Sequence, residues 1–326
     1  MNSALRTIAR HRGERGVALV TALLVVALAT VAAVAMATRL QVDLRRAGNL
    51  LHGEQAYTYA LAAESWAQVI LQRDANDNKF DSLEDDWATS LPPIAVEGGL
   101  VDGQVSDLQG RFNVNNLVDS SGNPDLEQRK YFERLLDNLQ LDTSIAAALL
   151  DWIDKDEIVT FPGGIEDDGY LLLNPPYRAA NRPLVDISEL RLVQGFTAEV
   201  IETLAPHVTA LPATTAINVN TASADVLLAL HPTLDAAAID ALVTAREDKA
   251  YEDINDFLAE NALAGLTPPI AVGIGVESEW FEVLTDVIVG AGRARLSTLL
   301  NRDGGATRVV TRTRARHYLL APPGAG

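Results

Sequence analysis

Asp151, Asp154, Asp156, Glu157, Glu166, Asp167 and Asp168 fall within one short stretch, DWIDKDEIVTFPGGIEDD, which Pro162, Gly163 and Gly164 must bend. Carboxylate oxygens at this density, with main-chain carbonyls available wherever the chain turns, suit a hard cation. Ca²⁺ takes roughly six to eight oxygens at flexible geometry, whereas Mg²⁺ prefers a tighter, wetter octahedron. The stretch holds no His or Cys, so zinc is not expected. The alternation Asp154-x-Asp156-x-Ile158 begins as an EF-hand loop does, although the later positions do not follow that motif. The competing reading is a solvated acidic loop. Against it stands the difficulty of keeping a long, carboxylate-rich loop compact with no disulfide and no neutralising ion. Calcium is therefore the expected cofactor, with Asp151, Asp154, Asp156, Glu166, Asp167 and Asp168 as its ligands.

A second alternation, Asp74-x-Asn76-x-Asn78, has Lys79 where an EF-hand loop needs Gly and Asp85 in place of the closing Glu. It reads as a helix-ending turn and is not carried as a site. Catalysis has little support. The five His, at 11, 52, 207, 231 and 317, show no H-E-x-x-H spacing, and there is no G-x-S-x-G elbow. Ser188, beside Glu189, reads as a helix N-cap. Tyr177 and Arg178, after Pro175 and Pro176, are placed to dock the acidic loop onto its domain.

Charge narrows the partners. Four Arg and one Glu precede Val17, about +3, which leaves about −21 of the formal −18 for the rest of the 326-residue chain. Such a body repels nucleic acid. The segment INVNTASADVLLAL resembles a helix-hairpin-helix module, so a membrane-anchored DNA-binding protein is the alternative function. Its hairpin, HPTLD, lacks Gly and adds a carboxylate, which argues against phosphate binding.

The elements that must position the loop begin with an apolar run from Val17 to Ala37, about 21 residues interrupted only by Thr21 and Thr30. It is long enough to span a bilayer and too long for the core of a cleaved secretory signal. Helical spacing continues through Leu40, Leu44, Leu51, Tyr57, Leu61, Trp66 and Ile70, so one helix is expected to run from the membrane into an amphipathic half. Arg6, Arg10, Arg12 and Arg15 put the N-terminus in the cytoplasm. Short strands are expected at Gly98–Val105, Gly110–Val118, Trp280–Val289, Ala294–Leu300 and Thr307–Arg314. Between the two strand groups lies a mostly helical block with an internal repeat. FNVNNL, LDTSIAAALLDWID and DISEL match INVNTA, LDAAAIDALVTARE and DINDF, and the first copy is longer by about 26 residues, which hold most of the acidic loop.

The leader ending in Gly16, set directly against the apolar helix, resembles the class III signal of type IV pilins and type II secretion pseudopilins. That resemblance implies that a prepilin peptidase cuts between Gly16 and Val17 and methylates the new terminus, leaving the helix in the mature protein. Family members generally carry Glu at the fifth mature position, where this chain has Thr21. In a filament that Glu is thought to neutralise a neighbour's amine, so a subunit without it suits the tip.

DSLEDDWA, LLDWIDKD with GGIEDDGYL, PPYRAANRPLVDISELRLVQG and INVNTASADVLLAL together are similar to the K minor pseudopilins of type II secretion. The similarity implies an α+β fold, in which a pilin-like transmembrane helix packs on a small antiparallel sheet interrupted by a large helical domain. It also implies calcium in that domain, a tip complex with the I and J minor pseudopilins, and a single-pass inner-membrane protein with its bulk in the periplasm. The expected divisions are 1–16 leader, 17–37 transmembrane helix, 38–122 helix continuation and first strands, 123–276 inserted helical domain, and 277–326 last strands.

Overall fold

The computed structural model describes residues 4–90, 92–304 and 306–314, with side chains from residue 16 onward. The side chains of Arg6, Arg10, His11, Arg12 and Arg15, and the whole of His317, lie outside the described residues. The first element, α1, runs unbroken from Ala4–Asp77 and contains the one described helix long and apolar enough to cross a membrane. Within the apolar run Thr21 and Thr30 donate to the carbonyls of Ala18 and Val26 at 2.9 and 2.8 Å, so their hydroxyls are satisfied inside the helix. Farther along, Ala56, Ala60, Ala67 and Leu71 lie on one helical face and are almost wholly buried. Three of the four are alanine, which lets the sheet come close. At the near end a Cβ on Gly292 would stand 2.4 Å from the carbonyl carbon of His52, so the turn there needs glycine.

Following α1 come β1 (Ile94–Val96) and β2 (Gly99–Asp107). The inserted block then supplies β3 (Phe112–Asn113), α2 (Leu126–Asn138), α3 (Ile145–Ile153), α4 (Asp167–Tyr170), α5 (Ala198–Leu204), β4 (Val208–Thr209), β5 (Ile217–Asn218), α6 (Ala224–Leu228), α7 (Ala236–Asp248), α8 (Ile254–Leu258) and β6 (Ile274–Gly275). The chain returns through β7 (Trp280–Val289), β8 (Gly292–Asp303) and β9 (Ala306–Thr313). The main sheet has the order β1-β2-β7-β8-β9 and is antiparallel throughout. Because β2 and β7 are hydrogen-bonded neighbours, everything between them is an excursion from one sheet. The expected fold class is the observed one.

One expected strand is corrected. Gly110–Val118 does not join the sheet. Phe112 and Asn113 form its two-residue strand, paired parallel with Val208 and Thr209, and a 3₁₀ turn follows at Val114–Leu117. The alternation that resembles a half-buried strand comes from asparagines that are themselves buried. Asn113 accepts from the amide of Asn115 at 3.1 Å, and this local bond turns the chain. Phe112 stacks on Tyr131 and Phe132 of α2, so the packing of the inserted block reaches back before residue 123.

The repeat has a matching physical basis in both copies. Asn115 donates to the carbonyl of Leu184 and accepts from its amide, at 2.9 and 2.8 Å. Asn220 does the same with Tyr251, at 3.0 and 2.9 Å. In each copy the clamped residue stands two before an aspartate, Asp186 or Asp253, that caps the next helical turn. At the first of these the cap is Asp186, reciprocated by Glu189, and not Ser188 as the sequence suggested.

Three buried acids, two of them through one arginine, tie the block, the end of α1 and the sheet together. Asp107 at the end of β2 accepts from Thr221, Ser278 and Asn218 at 2.5, 2.7 and 3.1 Å. Arg302 of β8 reaches Asp74 at 3.0 Å and both oxygens of Asp81 at 2.5 and 2.6 Å, and also donates to the Leu71 and Ser278 carbonyls. Its guanidinium lies 4.7 Å from the centre of the Phe281 ring. One side chain thus ties the end of α1, the segment after it, and the point where the chain re-enters the sheet.

Candidate metal centre

The acidic loop hangs from α3, whose nine residues are all buried. The helix stops at Asp154, which is extended and caps it through its amide to the Leu150 carbonyl at 2.9 Å. The chain then doubles back over Asp151, whose two oxygens accept from the Thr160 amide at 3.2 and 3.1 Å. Gly164 passes so close that a Cβ there would stand 2.3 Å from Asp151 Oδ2, and Gly163 next to it is left-handed at φ 94°. The sequence GG is what allows this crossing. It delivers Glu166 to the start of α4, where its side chain makes no capping bond.

The result is a convergence of Asp154, Asp156 and Glu166, each offering an oxygen within 4.8 Å of the others. Asp154 and Glu166 are buried and Asp156 faces solvent. Asp154 Oδ1 and both Glu166 oxygens are shut away from water without a hydrogen-bond partner. A further buried oxygen in the same condition is Oδ1 of Asn181. Asn181 is held in the left-handed region at φ 44°, donates its amide to the Trp152 carbonyl at 3.0 Å, and its side-chain nitrogen reaches the Asp156 carbonyl at 3.4 Å.

The electrostatics state the same deficit. Burial pushes Glu166 up to about 8, and Asp151, Asp154, Asp156 and Asp167 add their repulsion. Burial likewise raises Asp154 to about 7, helped by Asp156 and Asp151. Asp151 is raised by burial too, with the Thr160 hydrogen bonds pulling against it. Buried carboxylates this close cannot all ionise unless a cation sits among them. Four orphaned oxygens and an all-oxygen donor set fit a calcium ion.

Of the six expected ligands, the fold brings together Asp154, Asp156 and Glu166, with Asp151 lining the loop while bonded to Thr160. It turns Asp167 elsewhere. That carboxylate accepts from Arg178 at 2.8 Å and from the Ala179 amide at 3.0 Å, which docks the loop through the expected Arg178 contact. Asp168 is exposed and outside the cluster. Asn181 was missed in the sequence, where a lone amide in YRAANRPL carries no metal signature. Its only signal is that a left-handed conformation favours Asn. Trp152, Tyr170 and Tyr177 form the floor, with ring centres 5.1 and 5.3 Å apart along the series.

The other candidate residues have ordinary partners. His231 bonds Thr233 and the Pro268 carbonyl, and Asp235 caps α7, so the HPTLD hairpin uses its polar groups internally. His207 bonds Ser223 and is lowered by burial.

The family models for type II secretion system protein K match at residues 110–213 and 217–277. The chain is 36% identical to type II secretion system protein K of Pseudomonas aeruginosa, over 97% of each chain. It belongs to the type II secretion system protein K family. The Aeromonas hydrophila member is 34% identical, across 92% of this chain and 97% of its own. Among solved structures, a chain of the GspK-GspI-GspJ complex from the enterotoxigenic Escherichia coli type 2 secretion system is similar. It superposes with a TM-score of 0.72 at 28% identity, covering 82% of this chain and 98% of that one. The two family-model segments fall on the two copies of the repeat, which divide at residues 213 to 217. Membership in the protein K family, with one apolar helix, makes this chain a single-pass membrane-anchored minor pseudopilin of type II secretion.

Proposed function

We propose that this protein is a non-catalytic minor pseudopilin at the tip of the type II secretion pseudopilus, where it helps start or cap the filament that moves folded proteins across the outer membrane. The observation that carries the reading is Thr21. Its hydroxyl is spent on the Ala18 carbonyl of its own helix, so the fifth residue after Gly16 offers no carboxylate to the amine of a subunit above. A subunit that cannot be followed belongs first.

The basic leader favours a cytoplasmic N-terminus, an inner-membrane helix and a periplasmic bulk. Prepilin peptidase cuts between Gly16 and Val17, and Val17 is N-methylated. The complex in which the E. coli relative was solved supports partnership with the I and J minor pseudopilins. Calcium is held by Asp154, Asp156 and Glu166, with Asn181 as a further oxygen, and supplies the positive charge that keeps the loop compact.

Mass spectrometry of the mature N-terminus tests the class: a methylated Val17 is expected, and an intact Met1 would sink it. Thr21→Glu tests the position. It should be processed normally but lower secretion, because its carboxylate is left unpaired in the membrane helix. Undiminished secretion by this variant would count against the tip.

A further inference from the structure

The cation loop turns its largest apolar side chains outward. Ile158 is 74% exposed, Phe161 83% and Leu172 87%. Asp156 and Glu166 converge, so the segments that carry Ile158 and Phe161, just after Asp156, and Leu172, soon after Glu166, start from one point of the domain. Both segments are braced from beneath. Thr160 is pinned to Asp151, and the amides of Leu172 and Leu173 bond the carbonyls of Gly169 and Tyr170, both at 3.2 Å. Tyr170, wholly buried, stacks on Tyr177 and meets Trp152 edge-on. The apolar groups are thus presented on a firm base, and scattered surface hydrophobes need no such support.

Charge around them is one-sided. Glu157 and Asp168 are exposed and outside the carboxylate trio, so a cation bound there leaves them negative. Of the nearby bases, Arg178 is neutralised by Asp167 and Arg182 by Glu189, while Lys155 donates to the neutral Ser121 carbonyl and keeps its charge. Residues 108–279 hold 28 acidic and 10 basic side chains, so the inserted block carries the whole formal −18 of the chain. An anionic lipid surface would be repelled by such a body. A protein surface with apolar side chains rimmed by Lys or Arg would be drawn to it and would bury the three anchors.

We infer that Ile158, Phe161 and Leu172 form a docking surface for a protein partner that presents an apolar patch rimmed by basic residues. The inference stands apart from the calcium reading, because the anchors are held by the protein's own hydrogen bonds.

The test uses the full chain in cells that assemble its secretion system, with p-benzoylphenylalanine placed at the position of Phe161, of Leu172 or, as an exposed control, of Glu199. Irradiation should give a protein adduct at the first two positions and not at the control. Mass spectrometry of the adduct should place the cross-link in a peptide with apolar residues flanked by Lys or Arg. Phe161→Asp should cut the yield from the Leu172 position tenfold or more with the melting temperature unchanged, and Phe161→Ala should reproduce the loss without adding charge. Adducts with lipid, with a second copy of this chain or with a peptide lacking basic residues would overturn the inference, as would no adduct or a yield indifferent to Phe161.

Discussion

Two clusters in this molecule look alike from their acids alone. Asp74, Asp81 and Asp85 at the end of α1, and Asp154, Asp156 and Glu166 in the inserted block, each bring three carboxylates within 4.8 Å. In the first cluster the positive charge is built in. Arg302 lies among the acids, bonding Asp74 and both oxygens of Asp81, while Asp85 accepts from the Ser82 amide at 2.6 Å. Burial still pushes Asp81 and Asp74 upward, and Arg302 pulls both back. In the second cluster no arginine enters among the described residues, and oxygens of Asp154 and Glu166 are left without partners. A cluster of acids therefore says little by itself. What separates a structural node from a candidate metal centre is whether the fold supplies the compensating charge.

The sharpest way to break this comparison is to remove the built-in cation. Arg302→Ala strands Asp81 and Asp74 in the interior, and losing one partner of a buried pair costs about 3 to 5 kcal/mol. Chemical denaturation of the protein in detergent should show a loss of that size. Because Arg302 joins α1 to the point of return into the sheet, protease cuts near residues 78–90 should become faster as well. A loss under about 1 kcal/mol would mean that the acids protonate and tolerate the vacancy.

Removing the external cation should have the next largest effect. At a free calcium concentration 100 times its Kd, binding stabilises by about 2.7 kcal/mol, so chelation should lower the melting temperature measurably. Glu166→Gln separates this from a general salt effect, since its sign should reverse with conditions. In chelator near neutral pH the variant should melt higher than the parent, because Gln is neutral without the proton that Glu166 must take up to stay buried. In calcium it should melt lower because a ligand has been weakened. The same sign in both conditions would remove Glu166 from the site.

The sequence made parts of this legible and hid others. The membrane helix, the strands Trp280–Val289 and Thr307–Arg314, and the insertion could all be read because apolar periodicity records which face is buried. The loop that carries the trio could be found from its acid density. Which acids converge could not, since Asp167 and Asp168 follow Glu166 directly and differ from it only in direction, with Asp167 drawn off by Arg178 eleven residues later. Arg302 was invisible for a related reason. Its partners lie 221 and 228 positions away, and nothing in NRDGG marks a buried guanidinium. The strand expected at Gly110–Val118 failed because buried Asn115 and Asn116 imitate a solvent-facing alternation.

A third buried acidic site extends the comparison at smaller cost. Glu64 of α1 is 2% exposed and bonds Arg312 of β9 through both oxygens at 2.7 Å, with Thr298 adding a bond of 2.7 Å. Burial works to raise its pKa, and the Arg312 and Thr298 bonds outweigh it, leaving the group below its ordinary value. Arg312→Ala should cost about 1 to 3 kcal/mol, the range for stranding a buried acceptor, and toward the low end because Thr298 remains. The pH dependence then distinguishes the two kinds of acid. A carboxylate with a depressed folded pKa contributes stability above its unfolded pKa, and loses it as pH falls through the folded value, so the Glu64 share disappears only in acid below about pH 4.5. Asp154 and Glu166, raised to about 7 and about 8 in the metal-free loop, act in the opposite sense. They bind protons in the folded state that the unfolded chain has released, so the chelated protein should lose stability as pH rises from about 4 to about 8. Melting the chelated parent and Arg312→Ala across that window should give parallel falling curves that separate less below pH 4.5, where protonated Glu64 no longer needs Arg312. Adding calcium should flatten the fall between pH 5 and 8 in both proteins. A fall that persists in calcium would mean that the positive charge missing from the second cluster is not supplied by that ion.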